Sequence, residues 1–195
     1  DVDILLVGAG AANLAAVIRL HQLCEEKGVE MPAVLVIEKA AEIGGHQLSG
    51  AMMDPIGLKE LMPDFLEQGF PFHHQCTKDF TWMMSSKRAI SMPVTPPPFV
   101  NHGNYAISLS DVVKWLSEKA EELGIEIYPG FAASRPLFEG DRVVGVQIQD
   151  RGLDKDGAQK GVFEAGPQIF AKCVLFGEGP RGSCTKQLLD QFDMH

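Results

Sequence analysis

The chain opens on an unbroken apolar run, Ile4-Leu5-Leu6-Val7, closed by Gly8. Aliphatics without polar alternation mark a strand buried on both faces, as a central parallel strand is. The period then changes to that of a helix. Leu14, Val17, Ile18, His21 and Cys24 recur on one side, Arg19, Gln22, Glu25 and Glu26 on the other, and Gly28 provides the stop. A second apolar run, Ala33 to Ile37, predicts a second parallel strand ended by Glu38. Further on, Val112, Val113, Leu116, Ala120 and Leu123 form one apolar stripe, with Ser110 as N-cap, Asp111 in the first turn and Gly124 as terminator. This predicts a second crossover helix. Ile125 to Tyr128 follows as a short strand stopped by Pro129-Gly130. Leu137-Phe138, a Glu139-Gly140-Asp141 turn and alternating Val144, Val146 and Ile148 predict a half-exposed hairpin. The polar stretch 150–161 reads as a long loop of the same meander, and Ile169 to Phe176 as a returning buried strand that runs into a glycine-rich turn, Gly177 to Gly182.

Between these halves the pattern loosens. Residues 51–104 read as an irregular insertion, with a short helix broken at Pro63 and a hairpin from Phe80 to Met92 about Ser85-Ser86-Lys87-Arg88. Pro93, Pro96, Pro97 and Pro98 then predict an extended surface connection. The adjacent pair His73-His74 reads as loop, because neighbouring side chains point apart and cannot form the i, i+4 pair of a zinc helix.

At 195 residues, 45% of them hydrophobic, the chain can bury one sizeable core. A net charge of -9 and a pI near 5.1 argue against a nucleic-acid partner and against electrostatic docking on anionic lipid, so membrane contact would have to be apolar. The Met-, Leu- and Phe-rich stretch Met52 to Phe72 is the candidate for such contact. No run approaches the ~20 apolar residues a spanning helix needs. Cys24, Cys76, Cys173 and Cys184 have neither C-x-x-C spacing nor disulfide-scaffold density, which favours a reducing compartment. The chain begins at Asp1, without Met, and reads as trimmed or processed.

The chemistry concentrates in the first strand-turn-helix. Gly8 permits the tight turn, Gly10 leaves no side chain to hold a pyrophosphate off the backbone, and the helix that follows aims its free N–H groups and positive dipole end at the anion. A carboxylate at Glu38 accepts both ribose hydroxyls of an adenosine and repels a 2′-phosphate, selecting FAD or NAD over NADP. The third glycine of the usual fingerprint is Asn13 here, whose carboxamide can either crowd the phosphate or hydrogen-bond near it; crowding is the expectation, since the turn is built for bare backbone. The order of G-x-G turn, ribose-binding acid, three-stranded meander and returning strand with a glycine-rich end is that of an α/β, Rossmann-like FAD-binding domain of glutathione-reductase type, a parallel sheet with a β-meander crossover. Residues 1–195 are expected to form this FAD/NAD(P)-binding domain as the N-terminal portion of a longer protein.

Particular stretches carry a closer resemblance. Glu38 to His46, Leu48-Ser49-Gly50-Ala51, Asn101-His102-Gly103-Asn104-Tyr105, Tyr128 to Ala133, and Glu178-Gly179 with Arg181-Gly182 and Lys186-Gln187-Leu188 resemble the electron-transfer flavoprotein ubiquinone oxidoreductase family. The resemblance implies a peripheral membrane flavoenzyme that takes electrons from reduced electron-transfer flavoprotein and passes them to ubiquinone through FAD and a four-iron four-sulfur cluster. It would sit on the inner face of a bacterial cytoplasmic membrane or the matrix face of the mitochondrial inner membrane. The cluster cysteines, the quinone-binding domain and a later turn that completes the flavin site would lie beyond His195, so the segment alone is expected to be inactive. Carried over by position, the FAD contacts are Gly8, Gly10, Ala12 and Asn13 at the pyrophosphate and Glu38 with Lys39 at the adenosine ribose. Gly45, Ser49 and Gly50 approach the flavin, backbone at Ala132 or Ala133 meets adenine, and Gly177 and Gly179 meet the AMP half. No side chain here is a catalytic candidate and none a metal ligand, since the flavin carries the chemistry. A flavin reductase or monooxygenase of the geranylgeranyl reductase type, and a non-catalytic adenine-nucleotide-binding remnant, share the same early motifs.

Overall fold

The computed structural model of the protein describes residues 1–153 and 159–194. In chain order its elements are β1 Val2–Val7, α1 Ala11–Lys27, β2 Val34–Glu38, β3 Ala51–Met53, α2 Ile56–Leu61, β4 His74–Gln75, β5 Trp82–Met84, β6 Ala89–Ser91, β7 Tyr105–Ile107, α3 Leu109–Glu122, β8 Glu126–Pro129, β9 Ala133–Glu139, β10 Arg142–Ile148, β11 Arg151–Leu153, β12 Gln159–Glu164, β13 Gln168–Phe176 and α4 Ser183–Phe192. They divide into two compact units, one of residues 1–47 and Val113 onward, the other Leu48–Val112.

The first unit is the expected α/β domain. Its sheet runs β8-β2-β1-β13-β10-β9, and β1 pairs in parallel with both β2 and β13, as β2 does with β8. Parallel neighbours cannot be joined by a tight turn, so α1 and α3 serve as the crossovers. Gly28 ends α1 in the left-handed region at φ 63°, where glycine carries no Cβ penalty, and its N–H returns to the last turn of the helix. β13 belongs to two pairings: Val2↔Ala171 through Val7↔Phe176 join it in parallel to β1, while Gly145↔Phe170 and Val146↔Ile169 join it antiparallel to β10. The meander thereby brings Val146 and Ile148 into one buried cluster with Leu5, Val7 and Ile37.

The second unit has more order than an irregular insertion. β3, β7 and β4 form a three-stranded sheet, and Phe65, Phe70, Phe72 and Tyr105 make an aromatic cluster, edge-to-face apart from the stacked pair Phe70–Phe72, with centroids as close as 5.0 Å. Helix α2 stops before Pro63, as expected. The predicted hairpin is present as β5–β6 in the register Trp82↔Ser91, Met83↔Ile90, Met84↔Ala89.

Several local expectations are corrected. His74 opens strand β4 rather than lying in a loop, because its neighbour's N–H and its own register both reach Ala106 of β7. The cap of α3 is Ser108, whose Oγ accepts the Asp111 N–H at 3.3 Å, so the helix starts ahead of Ser110. The polar stretch read as a long loop pairs as β11–β12, with residues 154–158 outside those described. β13 is half exposed rather than buried, with Phe170, Lys172 and Cys173 open. Phe65, offered as a membrane contact, is 1% exposed and belongs to the aromatic core.

Candidate functional site

The carboxyl ends of β1, β2 and β13 meet at the first turn of α1. The Gly8 N–H donates to Ile37 O at 2.8 Å and the Gly177 N–H to Val7 O at 2.9 Å, which holds the three strand ends in register. Gly8 sits at φ +97°, and a Cβ there would lie 2.6 Å from Gly177 O, so the fold itself requires glycine. Gly10 is different. It is extended, at φ -83° and ψ 168°, and a Cβ would find only ordinary contacts, Gly177 O at 3.8 Å and Gln47 Nε2 at 3.9 Å. No described residue requires a glycine at this position, so the room beside its backbone is open.

Helix α1 starts with no side chain capping its N-terminus and no acidic residue in its first turn. The first intrahelical bond is Leu14 N–H to Gly10 O at 3.0 Å, so the Ala11, Ala12 and Asn13 N–H groups at the positive end of the helix dipole are not used by the helix ladder. Beside them stands Glu38. Its Oε2 accepts the Ala9 N–H at 2.9 Å and its Oε1 the Ala40 N–H at 2.8 Å, clamping the half-buried carboxylate between the turn and the end of β2. Each oxygen keeps lone-pair capacity for one more donor. Lys39 is exposed next to it.

Asn13 does not crowd this turn. Its side chain is 5% exposed and points into the protein, where Nδ2 donates to Gly8 O at 2.8 Å and Val7 O at 3.2 Å. The carboxamide fills the space above Gly177, where a Cβ would overlap it. The expected crowding therefore fails for a geometric reason: two strand-end carbonyls lie within reach of the amide, and a buried amide turns toward such acceptors.

The remaining predicted residues fall as follows. Gly130 N–H donates to Ala40 O and Phe131 N–H to Glu38 O, which brings Ala132 and Ala133 past the end of β2; Ala132 O accepts the Gln149 N–H at 2.8 Å. Gly45 closes a turn by donating to Glu42 O at 3.1 Å. Gly179 adopts φ +75° in the turn that leads to α4. Ser49 and Gly50 belong to the other unit and are exposed ahead of β3.

Glu178 is a site residue that periodicity did not reveal. Its carboxylate accepts the Cys184 N–H at 3.2 Å and both the N–H and Oγ1–H of Thr185 at 2.8 Å, capping α4. The resemblance included Glu178, but the only sign of its capping role was an acid a few residues ahead of a short helix. Burial, with Glu178 nearby, pushes the Cys184 thiol up to about 12, so this cysteine is inert. A hollow of about 600 Å³, open to solvent, is lined by Ser134, Arg135, Gln147, Gln149, Asp150, Ala165, Gly166 and Gln168 and has no predicted site residue in its wall. The turn of α1 is instead an open cradle, the shape expected for an extended ligand lying across strand ends.

Comparison with known proteins agrees with this architecture. No protein-family model matches the chain. Over its whole length it is 45% identical to the mitochondrial electron transfer flavoprotein-ubiquinone oxidoreductase of Arabidopsis thaliana, 45% to that of Mus musculus and 44% to that of Homo sapiens. The matched stretch is the N-terminal part of these proteins, and the chain spans only 30 to 32% of their length. Among solved structures, FqzB matches with a TM-score of 0.63 at 18% identity, covering 97% of this chain and 39% of that one. The THI4 protein of Thermovibrio ammonificans matches at 0.60 and 16%, covering 100% and 64%. A geranylgeranyl bacteriochlorophyll reductase-like protein of Thermoplasma acidophilum matches at 0.57 and 16%, covering 90% and 38%. These structural likenesses establish the fold, a Rossmann-type domain of the kind FAD-dependent oxidoreductases use.

Proposed function

We propose that the chain is the FAD-binding part of a flavin-dependent oxidoreductase, one that takes electrons from reduced electron-transfer flavoprotein and delivers them to ubiquinone. The observation that carries the cofactor reading is the cradle at α1: a glycine the fold does not need, an uncapped helix N-terminus and a clamped carboxylate side by side. These residues fit an ADP-containing group. Backbone N–H groups of Ala11, Ala12 and Asn13 would hold the pyrophosphate, with Gly8 and Gly10 allowing it close. The free lone pairs of Glu38 would accept the ribose hydroxyls, and its charge would exclude a 2′-phosphate. Lys39 would flank the ribose, backbone at Ala132 or Ala133 would face adenine, and Gly177 and Gly179 would border the AMP half. Gly45, Ser49 and Gly50 are assigned to the flavin end. When bound, FAD supplies the electron-carrying ring; the residues of this chain bind and orient it.

The donor and acceptor rest on the relatives' names and on their 45% identity with this chain. On the family resemblance alone, the whole protein would also carry a four-iron four-sulfur cluster outside this stretch and work at the matrix face of the mitochondrial inner membrane; the relatives' names, which say mitochondrial, support the mitochondrial setting rather than the bacterial one. Membrane contact would be peripheral, as the resemblance implies; no described helix is long and apolar enough to cross a membrane. The surface that supports it best is the β5–β6 hairpin, where Trp82, Met83, Met84 and Ile90 are all exposed; within the 52–72 stretch Phe65 is buried, and only Met52, Ile56, Leu66 and Phe72 remain open for such contact.

Calorimetry with FAD and ADP tests the cofactor site. The Glu38→Ala variant should lose about 1.5 to 3 kcal/mol, roughly one to two orders of magnitude in affinity, the value of hydrogen bonds to a charged group. A variant that binds as tightly as the parent refutes the ribose assignment.

A further inference from the structure

The peptide between Gly8 and Ala9 is held from both sides. Its carbonyl accepts from Asn13 Nδ2 at 2.8 Å, and its N–H donates to Glu38 Oε2 at 2.9 Å. In a trans peptide the C=O and N–H point in opposite directions, so whatever turns one end inward turns the other outward. Asn13 is 5% exposed and its amide faces two carbonyls, Gly8 O and Val7 O. That arrangement leaves no doubt about which end of the carboxamide is the donor, because its oxygen could find no donor in that place. Gly177, which has no Cβ to collide with it, completes the seat.

We propose that Asn13 is a positioning residue for the nucleotide cradle: by pinning the Gly8 carbonyl inward it sets the plane of the Gly8–Ala9 peptide, and through the Ala9 N–H it fixes the Glu38 carboxylate. A glycine at this position would allow helix and strand to approach but could hold nothing. Asn13 replaces close packing with a hydrogen-bonded clasp, and the clasp ties the phosphate turn to the ribose acceptor. Glu38 is then held at both oxygens, by Ala9 from the turn and by Ala40 just past the end of β2. The functional consequence rests on the nucleotide reading given above; the structural coupling does not.

Two measurements on the purified chain separate these. The first needs no ligand: amide hydrogen exchange by NMR in the parent, in Asn13→Ala and in Asn13→Leu. The leucine keeps the branch at Cγ and the volume over Gly177 while removing the donor, so it remains informative if the alanine variant folds poorly. Exchange at Ala9 should accelerate about tenfold more than at the strand amides of Leu6 and Val36, which report global opening. Equal acceleration at all three positions overturns the proposal. The second is a double-variant cycle on ADP affinity. Asn13→Leu should weaken ADP about two- to tenfold, the size of a net hydrogen bond, and that loss should shrink toward unity in the Glu38→Ala background. Full additivity would mean that Asn13 does not act through Glu38, and overturns it. A parent chain that binds no ADP refutes the nucleotide reading instead, while Ala9 exchange still decides the role of Asn13.

Discussion

Gly8 and Gly10 are two residues apart in one turn, and their alanine variants should fail in opposite ways. At Gly8 the backbone sits at φ +97°, a region that costs an L-residue roughly 1 to 3 kcal/mol, and the new methyl would lie 2.6 Å from Gly177 O. That oxygen belongs to backbone fixed by the Gly177 N–H to Val7 O bond, so relief requires moving β13 against β1. Overpacking of this kind adds about 1 to 3 kcal/mol. Together these take roughly 2 to 6 kcal/mol from a stability that for a domain is typically about 5 to 15 kcal/mol. At Gly10 φ is -83° and the nearest atoms to a Cβ are 3.8 and 3.9 Å away. Reduced freedom of the unfolded chain favours alanine by about 0.4 to 1 kcal/mol, and alanine's poor N-cap behaviour offsets this, so stability should stay within about 1 kcal/mol of the parent. The methyl does, however, enter the space that a pyrophosphate must approach, and ADP affinity should fall by about tenfold or more. Urea denaturation and ADP calorimetry on both variants give the four numbers. A Gly10→Ala chain that binds ADP like the parent means that this turn is not a phosphate cradle. A Gly8→Ala chain as stable as the parent means that the close approach of β1 and β13 has been misread.

Three further outcomes follow, two from the surface and one from the core. Vesicle flotation of the protein should be insensitive to salt, because a chain of net charge -9 gains no attraction from anionic lipid, and Trp82→Glu or Met84→Glu should weaken it. Phe65→Ala should instead cost about 3 to 5 kcal/mol of stability as a core truncation; binding abolished by modest salt, or indifferent to Met84→Glu, sinks the hairpin assignment. Lys172 beside Asp3, with the Ala33 N–H, holds the Asp3 carboxyl below its ordinary 3.8. A depressed folded value stabilises above the unfolded pKa and is lost as pH falls through the folded one, so the urea-midpoint gap between parent and Asp3→Asn should be present at neutral pH and close below pH 3.8. A gap unchanged down to about pH 2 contradicts this.

The architecture of the first unit was legible because it follows from local chemistry. An aliphatic run, a glycine that must turn, a helical stripe from Leu14 to Cys24 and a glycine to stop it determine β1–α1–β2 almost without reference to the rest of the chain. The β5–β6 hairpin was legible for the same reason. What stayed hidden depended on partners far away in sequence. The acceptors of Asn13, Val7 O and Gly8 O, are near it in sequence, but the seat its inward carboxamide fills exists only because Gly177, at the end of β13, docks beside β1. Glu38 shows the division clearly. Its place at the end of a strand could be read from the run before it, whereas its clamp on the Ala9 N–H, 29 residues earlier, exists only because β1 and β2 pair in parallel. Burial was the other blind spot. Phe65 and Phe70 are inside while Met83 and Met84 are outside, although all four are apolar. Hydrophobicity specifies that a residue gains from leaving water, but tertiary contacts decide which of several such residues find a neighbour to pack against.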